Sequence, residues 1–345
     1  MAAQYRFSFG PWNIHEGADP FGPPVRPSVT FADKLKLYKK LGFDGVQFHD
    51  DDVIPNIDSK SASQVEREGA AVSKTLQEAG LVVEIIAPRL WEDEKSIDGA
   101  FTSNDAKSRQ WALDRSKRAI DLAKVMKTNL FIFWYAREGS YIREAKRAGE
   151  AYKRLLDGIN ALLDYDKTIR IAIEPKPNEP MDHTYVPTIG HALAMGAHSS
   201  DPKRVGGLIE TAHALLAGLD PSDEMAFALS LGKLWSVHLN DQNGLKYDQD
   251  KTFGSANLRT AYNQVRVLEQ YGYAASGAFI GLDVKAMRTQ RAEVATRHLE
   301  NSRRVFLSLV EKVRTFDANV ERQCIENRDY EALELAVMNH LMGVK

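Results

Sequence analysis

The chain alternates short apolar runs with longer amphipathic segments and repeats the alternation eight times, which leaves few folds open to it. The runs are YRFSFG, GVQFHD, LVVEIIAP, TNLFIFW, IRIAIEP, VGGLIET, LWSVHLN and GAFIGLD, none longer than eight residues and most of them rich in β-branched or aromatic side chains. Their near-continuous apolar character predicts strands buried on both faces, as in a parallel sheet covered by helices. Between them lie segments of helical period such as FADKLKLYKKLG, ASQVEREGAAVSKTLQEAG, DAKSRQWALDRSKRAIDLAKVMK and REAKRAGEAYKRLLDGINALLDYD; several end in Gly, and Asn104-Asp105 supplies a capping signal. Eight strand–helix units favour closure into a (β/α)8 TIM barrel. A doubly wound open sheet is the alternative, weakened because no G-x-G-x-x-G follows the first run and no G-x-x-x-x-G-K-[ST] occurs.

A barrel of this class fits within 345 residues with room for additions. The expected division is a barrel over 1–316 and a C-terminal arm over 317–345, serving oligomerisation and ending in a short amphipathic helix. With 45 Lys and Arg against 47 Asp and Glu, the formal charge of −2 gives no basic surplus for neutralising phosphates, so no nucleic-acid partner is expected. Cys324 is the single cysteine, which excludes an intrachain disulfide and thiolate metal cages and suits a reducing compartment. There is neither a run of eighteen apolar residues nor an N-terminal basic-then-apolar segment, so the expectation is a cytoplasmic protein with no membrane partner.

In such a barrel the chemistry sits at the C-terminal ends of the strands. There this chain carries His49 and Asp52 after the second run, Glu174, Lys176 and Glu179 after the fifth, and Glu210 and His213 after the sixth. His238, Asp248 and Asp250 follow on the seventh, and Asp283 with Lys285 on the eighth. One carboxylate at one strand end ordinarily caps a helix. Carboxylates or imidazoles from four consecutive strands at one mouth would repel each other, and a cation resolves the conflict. Oxygen-rich ligands with some imidazole and no thiolate point to Mg²⁺, Mn²⁺ or Co²⁺, and Glu174, Glu210, His213, His238, Asp248, Asp250 and Asp283 are enough ligands for two ions. Lys176, two residues from Glu174 on an extended segment, shares its side and suits an electrophile for a carbonyl oxygen. Asp52 is spaced to orient the His49 ring. Trp12, Phe21, Trp91 and Trp134 fall at or just beyond strand ends, where aromatic faces cover sugar C–H surface and exclude water.

Together these stretches resemble the xylose (glucose) isomerase family. SFGPW, DPFG, FHDDD, FTSND, FW-x-x-REG, AIEPKPNEP, PTIGHALA, the E-x-x-H of ETAH, KYDQD-x-x-FG, D-x-K-x-x-RT and the terminal NHLMG follow the family's order over nearly the whole chain. AIEPKPNEP and KYDQD are the specific ones. The resemblance implies a metal-dependent aldose–ketose isomerase converting D-xylose to D-xylulose, and D-glucose to D-fructose, by ring opening and a metal-assisted hydride shift. It implies two divalent ions per subunit: one held by Glu174, Glu210 and Asp283, the other by Glu210, His213, Asp248 and Asp250. His49 with Asp52 would assist ring opening, Lys176 would polarise the carbonyl, and Trp12, Trp91 and Trp134 would wall the sugar. Phe21 would reach a neighbouring subunit's site in a homotetramer, a dimer being the other assembly considered.

The chain also departs from the family. His238 replaces an aspartate ligand, which weakens Mg²⁺ relative to Mn²⁺ and Co²⁺ and resembles some rhamnose isomerases. A second family tryptophan falls on His15 or Glu16, the family's T-x-N aligns with Ala87 and Arg89, and its small pair after the tryptophan is Tyr135-Ala136. These changes motivate a related isomerase for another sugar, such as L-rhamnose, or an epimerase. A metal-dependent nuclease of similar fold and a homologue without catalysis are the readings from other classes.

Overall fold

The computed structural model describes residues 4–344. Eight parallel strands close into a barrel: β1 Arg6–Phe9, β2 Gly45–His49, β3 Val82–Ala87, β4 Leu130–Trp134, β5 Arg170–Glu174, β6 Val205–Glu210, β7 Leu234–Leu239 and β8 Phe279–Leu282. Neighbours in the barrel are neighbours in sequence, and β8 closes the ring on β1 with Arg6 opposite Phe279 and Phe9 opposite Leu282. All eight apolar runs are therefore strands of one sheet, and the open-sheet alternative is excluded.

The outer layer consists of α1 Phe31–Leu41, α2 Ala62–Glu78, α3 Ala106–Val125, α4 Ala148–Tyr165, α5 Ile189–Ala197, α6 Pro221–Ser230, α7 Leu258–Gln270 and α8 Arg297–Thr315. Their ends follow local chemistry. Asp105 caps α3 by accepting from the Lys107 and Ser108 amides, and Gly42 ends α1 at φ 79°, a left-handed position that favours glycine. The α4 segment starts later than its periodicity suggests, because Arg143–Ala145 forms a separate short turn before Ala148. Between barrel and helices, Phe9 stacks on Tyr38 at 3.8 Å while Phe7, Phe43 and Phe306 pack edge-on nearby. A fully buried phenylalanine such as Phe306 contributes about 2–3 kcal/mol from area removed from water.

Inside the barrel the lining divides in two. Ile85, Ala87, Leu130, Ile132, Ala172 and Leu208 form an apolar side. Opposite, Ser8, Gln47 and Ser236 all donate to the buried carboxylate of Glu84. Glu84 reaches inward because the β2–β3 register shifts between Val46 and Gln47, leaving it an extra residue. Gly281 makes room for this network: a Cβ there would stand 2.4 Å from Gln47 Nε2.

Two helices follow α8, α9 Ala318–Asn327 and α10 Tyr330–Met342, where a single short helix was expected. Ion pairs from Arg266 to Glu321 and from Arg259 to Glu334 tie them to α7. Leu335, Met338 and Met342 remain exposed on α10. Among the described residues no helix is long and apolar enough to cross a membrane.

Candidate metal site

The C-terminal ends of the strands surround a cavity of about 360 Å³, within the range of small-molecule sites. Its floor is acidic. Glu174 ends β5 and Glu210 ends β6; His213 follows on the short helix Thr211–Leu216, His238 lies on β7, and Asp283 comes directly after β8. The loop after β7 turns back so that Asp248 and Asp250 join them. That loop is anchored by Asp241, which pairs with Lys251 through the backbone and accepts from the Ala256 and Asn257 amides at 2.8 and 3.0 Å. Asp241 thus braces the loop that carries the two aspartates.

The distances define overlapping groups. Glu210 Oε2 is 3.3 Å from His213 Nε2 and 3.9 Å from His238 Nδ1, and Glu174 Oε1 is 3.3 Å from His238 Nδ1. His213 Nε2 lies 3.1 Å from Asp248 Oδ2. Three triads have ligand atoms within 4.8 Å of one another: Glu174, Glu210 and His213; Glu210, His238 and Asp283; and Glu210, Asp248 and Asp250. Glu210 belongs to all of them.

The charge balance shows what this arrangement lacks. Lys176 pairs with Asp248 at 2.7 Å and Lys285 with Asp250 at 2.8 Å. Burial, together with Asp248, Asp283 and Asp250, still pushes the Glu210 carboxyl well above its ordinary range, and burial and Asp248 do the same to Asp250. Burial opposes a charged His238, yet Glu174 overrides it and lifts the imidazole to about 9. His213 Nδ1, His238 Nε2 and Asp248 Oδ1 are buried without hydrogen-bond partners. Crowded carboxylates that must otherwise hold protons, with orphaned nitrogen and oxygen atoms among them, fit divalent cations of the Mg²⁺, Mn²⁺ and Co²⁺ type.

The aromatic residues form a wall on one side. Trp12 packs on His49 at 4.2 Å, His49 meets Trp91 at 5.0 Å, Trp91 meets Trp134 at 4.5 Å, and Trp134 lies parallel to His213 at 6.5 Å. Trp12 Nε1 also donates to Asp283 Oδ1 at 3.0 Å, tying wall to floor. Lys176 Nζ stands 5.3 Å from the Trp134 ring centroid. Phe21 is 98% exposed and takes no part in this chain's cavity. His15 and Glu16 are not among the cavity residues, and the buried Tyr135 lies outside it too.

Three contributors escaped sequence reasoning. Asn240 donates to Glu210 Oε1 at 2.8 Å and accepts the Ala212 amide, bridging β7 to the Glu210 turn. Asn13 donates to Asp283 at 2.9 Å. Arg89, flagged only as a departure, reaches Asp52 Oδ1 at 2.9 Å and His49 Nδ1 at 2.7 Å. The asparagine in LWSVHLN was the one available signal for the first, since an amide at a strand end beside acids suits a ligand-orienting donor.

A parallel eight-stranded barrel with an acid–imidazole cluster and an aromatic wall at its C-terminal mouth defines a class of metal-site TIM barrels. Within that class the chain belongs to the xylose isomerase-like TIM barrel family, whose model matches residues 35–305. Solved structures share the fold at low identity. A D-tagatose 3-epimerase-like protein superposes with a TM-score of 0.64 at 13% identity, over 89% of this chain and 98% of that one. D-Psicose 3-epimerase in the presence of D-fructose gives 0.63 at 16%, over 88% and 99%. The 3-keto-D-glucoside 4-epimerase of E. coli gives 0.60 at 14%, over 88% and 100%.

Proposed function

We propose that this protein is a metal-dependent aldose–ketose isomerase acting on D-xylose, giving D-xylulose, and on D-glucose, giving D-fructose. The observation that carries the reading is the carboxylate of Glu210, common to every ligand triad, so that two adjacent ion positions would share it as a ligand. Glu174, Glu210, His238 and Asp283 would hold one ion, and Glu210, His213, Asp248 and Asp250 the second. Divalent ions held there would supply positive charge to the sugar oxygens during a hydride shift between C2 and C1.

The chain's own groups do the rest. Lys176, buried and aimed across Asp248, directs its ammonium at the carbonyl oxygen of the open-chain sugar. Trp12, Trp91 and Trp134 lie against the sugar's C–H face and keep water from a reaction that needs none. His49, with Asp52 and Arg89 beside it, contacts the ring form at the cavity edge. The exposed Phe21 suits insertion into a neighbouring subunit, and we take the assembly to be a homotetramer, with a dimer as the alternative and light scattering as its check. A cytoplasmic location accords with the lone cysteine.

A second reading, epimerisation of a ketose, is favoured by His238, which makes one ion position three carboxylates and one imidazole. Chelator-stripped protein supplied separately with Mg²⁺, Mn²⁺ and Co²⁺ decides between them. Metal-dependent ketose formation from D-xylose ahead of D-glucose, D-ribose and L-rhamnose supports the isomerase. Epimer formation from D-fructose, with no aldose consumed, moves the assignment to the epimerase.

A further inference from the structure

His49 lines the cavity and has a permanent cation against one of its ring nitrogens. Arg89 Nη2 lies 2.7 Å from His49 Nδ1 and 2.9 Å from Asp52 Oδ1. A guanidinium carries only donors and is not deprotonated in proteins, so whatever faces it at that distance must accept. A proton on His49 Nδ1 would point at another N–H. The Nδ1 lone pair therefore receives the Arg89 hydrogen, and a neutral ring keeps its proton on Nε2.

We propose that Arg89 fixes His49 as the Nε2–H tautomer, so that His49 offers the sugar a hydrogen-bond donor and is barred from taking a proton there. The proposal rests on the reading of this cavity as a sugar site, which it deepens. Arg89 is a positioning residue in it, acting through His49.

Arg89 is held from several sides. Its Nε donates to Asp51 Oδ1 at 2.8 Å, its Nη1 to Glu92 Oε1 at 3.1 Å, and its backbone amide to Asp50 Oδ1 at 3.0 Å. Asp50 is itself fully buried and clamped by Arg115 through bonds of 2.9 and 3.0 Å. The Arg89 side chain is 16% exposed. Asp52 Oδ2 lies 3.2 Å from His49 Nδ1 and accepts the His49 backbone amide at 3.0 Å, while its Oδ1 pairs with Arg89, so with the guanidinium already donating to Nδ1 this aspartate serves as the counter-ion of Arg89. Trp12 and Trp91 flank the ring and oppose its flipping. Nε2 has no hydrogen bond to a described residue, and His49 lines the cavity, so the donor is free for a ligand. Its natural acceptor is an oxygen carrying lone pairs, such as a sugar's ring oxygen.

The tautomer can be read without any sugar, which separates failure of this proposal from failure of the isomerase reading. Full-length protein labelled with ¹⁵N at histidine is examined by long-range ¹H–¹⁵N correlation at neutral to mildly alkaline pH, with the His49 signals assigned by their loss in His49→Gln. The expected wild-type pattern is a protonated Nε2 and a bare Nδ1. Asp52→Asn, which leaves Arg89 in place, keeps that pattern, whereas Arg89→Met moves the proton to Nδ1, facing Asp52. A wild-type ring protonated at Nδ1, or an Arg89→Met spectrum unchanged from wild type, overturns the proposal. Should Arg89→Met not fold, the wild-type and Asp52→Asn spectra decide it: loss of Nε2–H in Asp52→Asn would make Asp52, not Arg89, the determinant.

Discussion

His238 Nδ1 stands 3.3 Å from Glu174 Oε1, so an imidazole from β7 meets a carboxylate from β5 on the cavity floor. Replacing a carboxylate by a neutral nitrogen ligand removes one negative charge and softens the site. His238→Asp is expected to shift the ratio of Mg²⁺ to Mn²⁺ affinity in favour of Mg²⁺ by roughly ten-fold, about 1.4 kcal/mol. Calorimetric titration of chelator-stripped protein measures it, and an unchanged ratio would show that His238 does not ligate.

Because Glu210 is common to all three ligand triads, the two proposed ion positions should fail together when it is altered. Glu210→Gln is expected to abolish stoichiometric binding at both. Asp248→Asn should leave one ion per chain. Metal analysis after equilibrium dialysis distinguishes these outcomes, and two tight ions in Glu210→Gln would refute the shared bridge.

Lys176 is both partner of Asp248 and proposed electrophile, and the two parts separate on substitution. Lys176→Met should lower kcat by about two to three orders of magnitude, as for loss of one preorganised donor. Metal binding at the Asp248 position should hold or tighten, because the ammonium no longer competes for the carboxylate. A variant that lost metal and activity in parallel would make the lysine a structural counter-ion.

His298, on α8, donates from Nε2 to the Asn13 carbonyl at 2.9 Å while its Nδ1 is buried without a partner. Burial pushes this imidazole down from 6.5 to about 4. Between those values the unfolded chain binds more protons than the folded one, so stability is full above about pH 6.5 and falls as pH drops toward 4. The loss is about 3 kcal/mol, an order-of-magnitude figure. Urea unfolding at pH 7.5 and pH 4.5 should show wild type losing more stability than His298→Asn; equal losses would place the acid sensitivity elsewhere.

Much of the candidate site was readable because its acidic and imidazole residues sit where strands end. Glu174, Glu210, His238 and Asp283 each fall at the close of an apolar run, and period-two alternation turns them to one mouth once the sheet closes. Asp248 and Asp250 were legible through KYDQD, although nothing local revealed that Asp241 braces their loop. Asn13, Asn240 and the Glu84 network were not legible. They act through partners far along the chain, as Asn13 does on Asp283, and Glu84 turns inward through a bulge that strand patterning does not announce.

By itself the sequence determined the eight strand–helix units, the barrel, and the residue types at its mouth, since these follow from periodicity and from which side chains can lie at a strand's end. Tertiary structure alone decided which atoms meet. Arg89 comes to rest on His49 because Asp50, Asp51, Asp52 and Glu92 converge on it from two strand ends, and His238 pairs with Glu174 because β5 and β7 deliver them to one floor. Such pairings depend on distances of a few tenths of an ångström between residues tens of positions apart, a quantity fixed by how the strands tilt and close and carried by no local pattern.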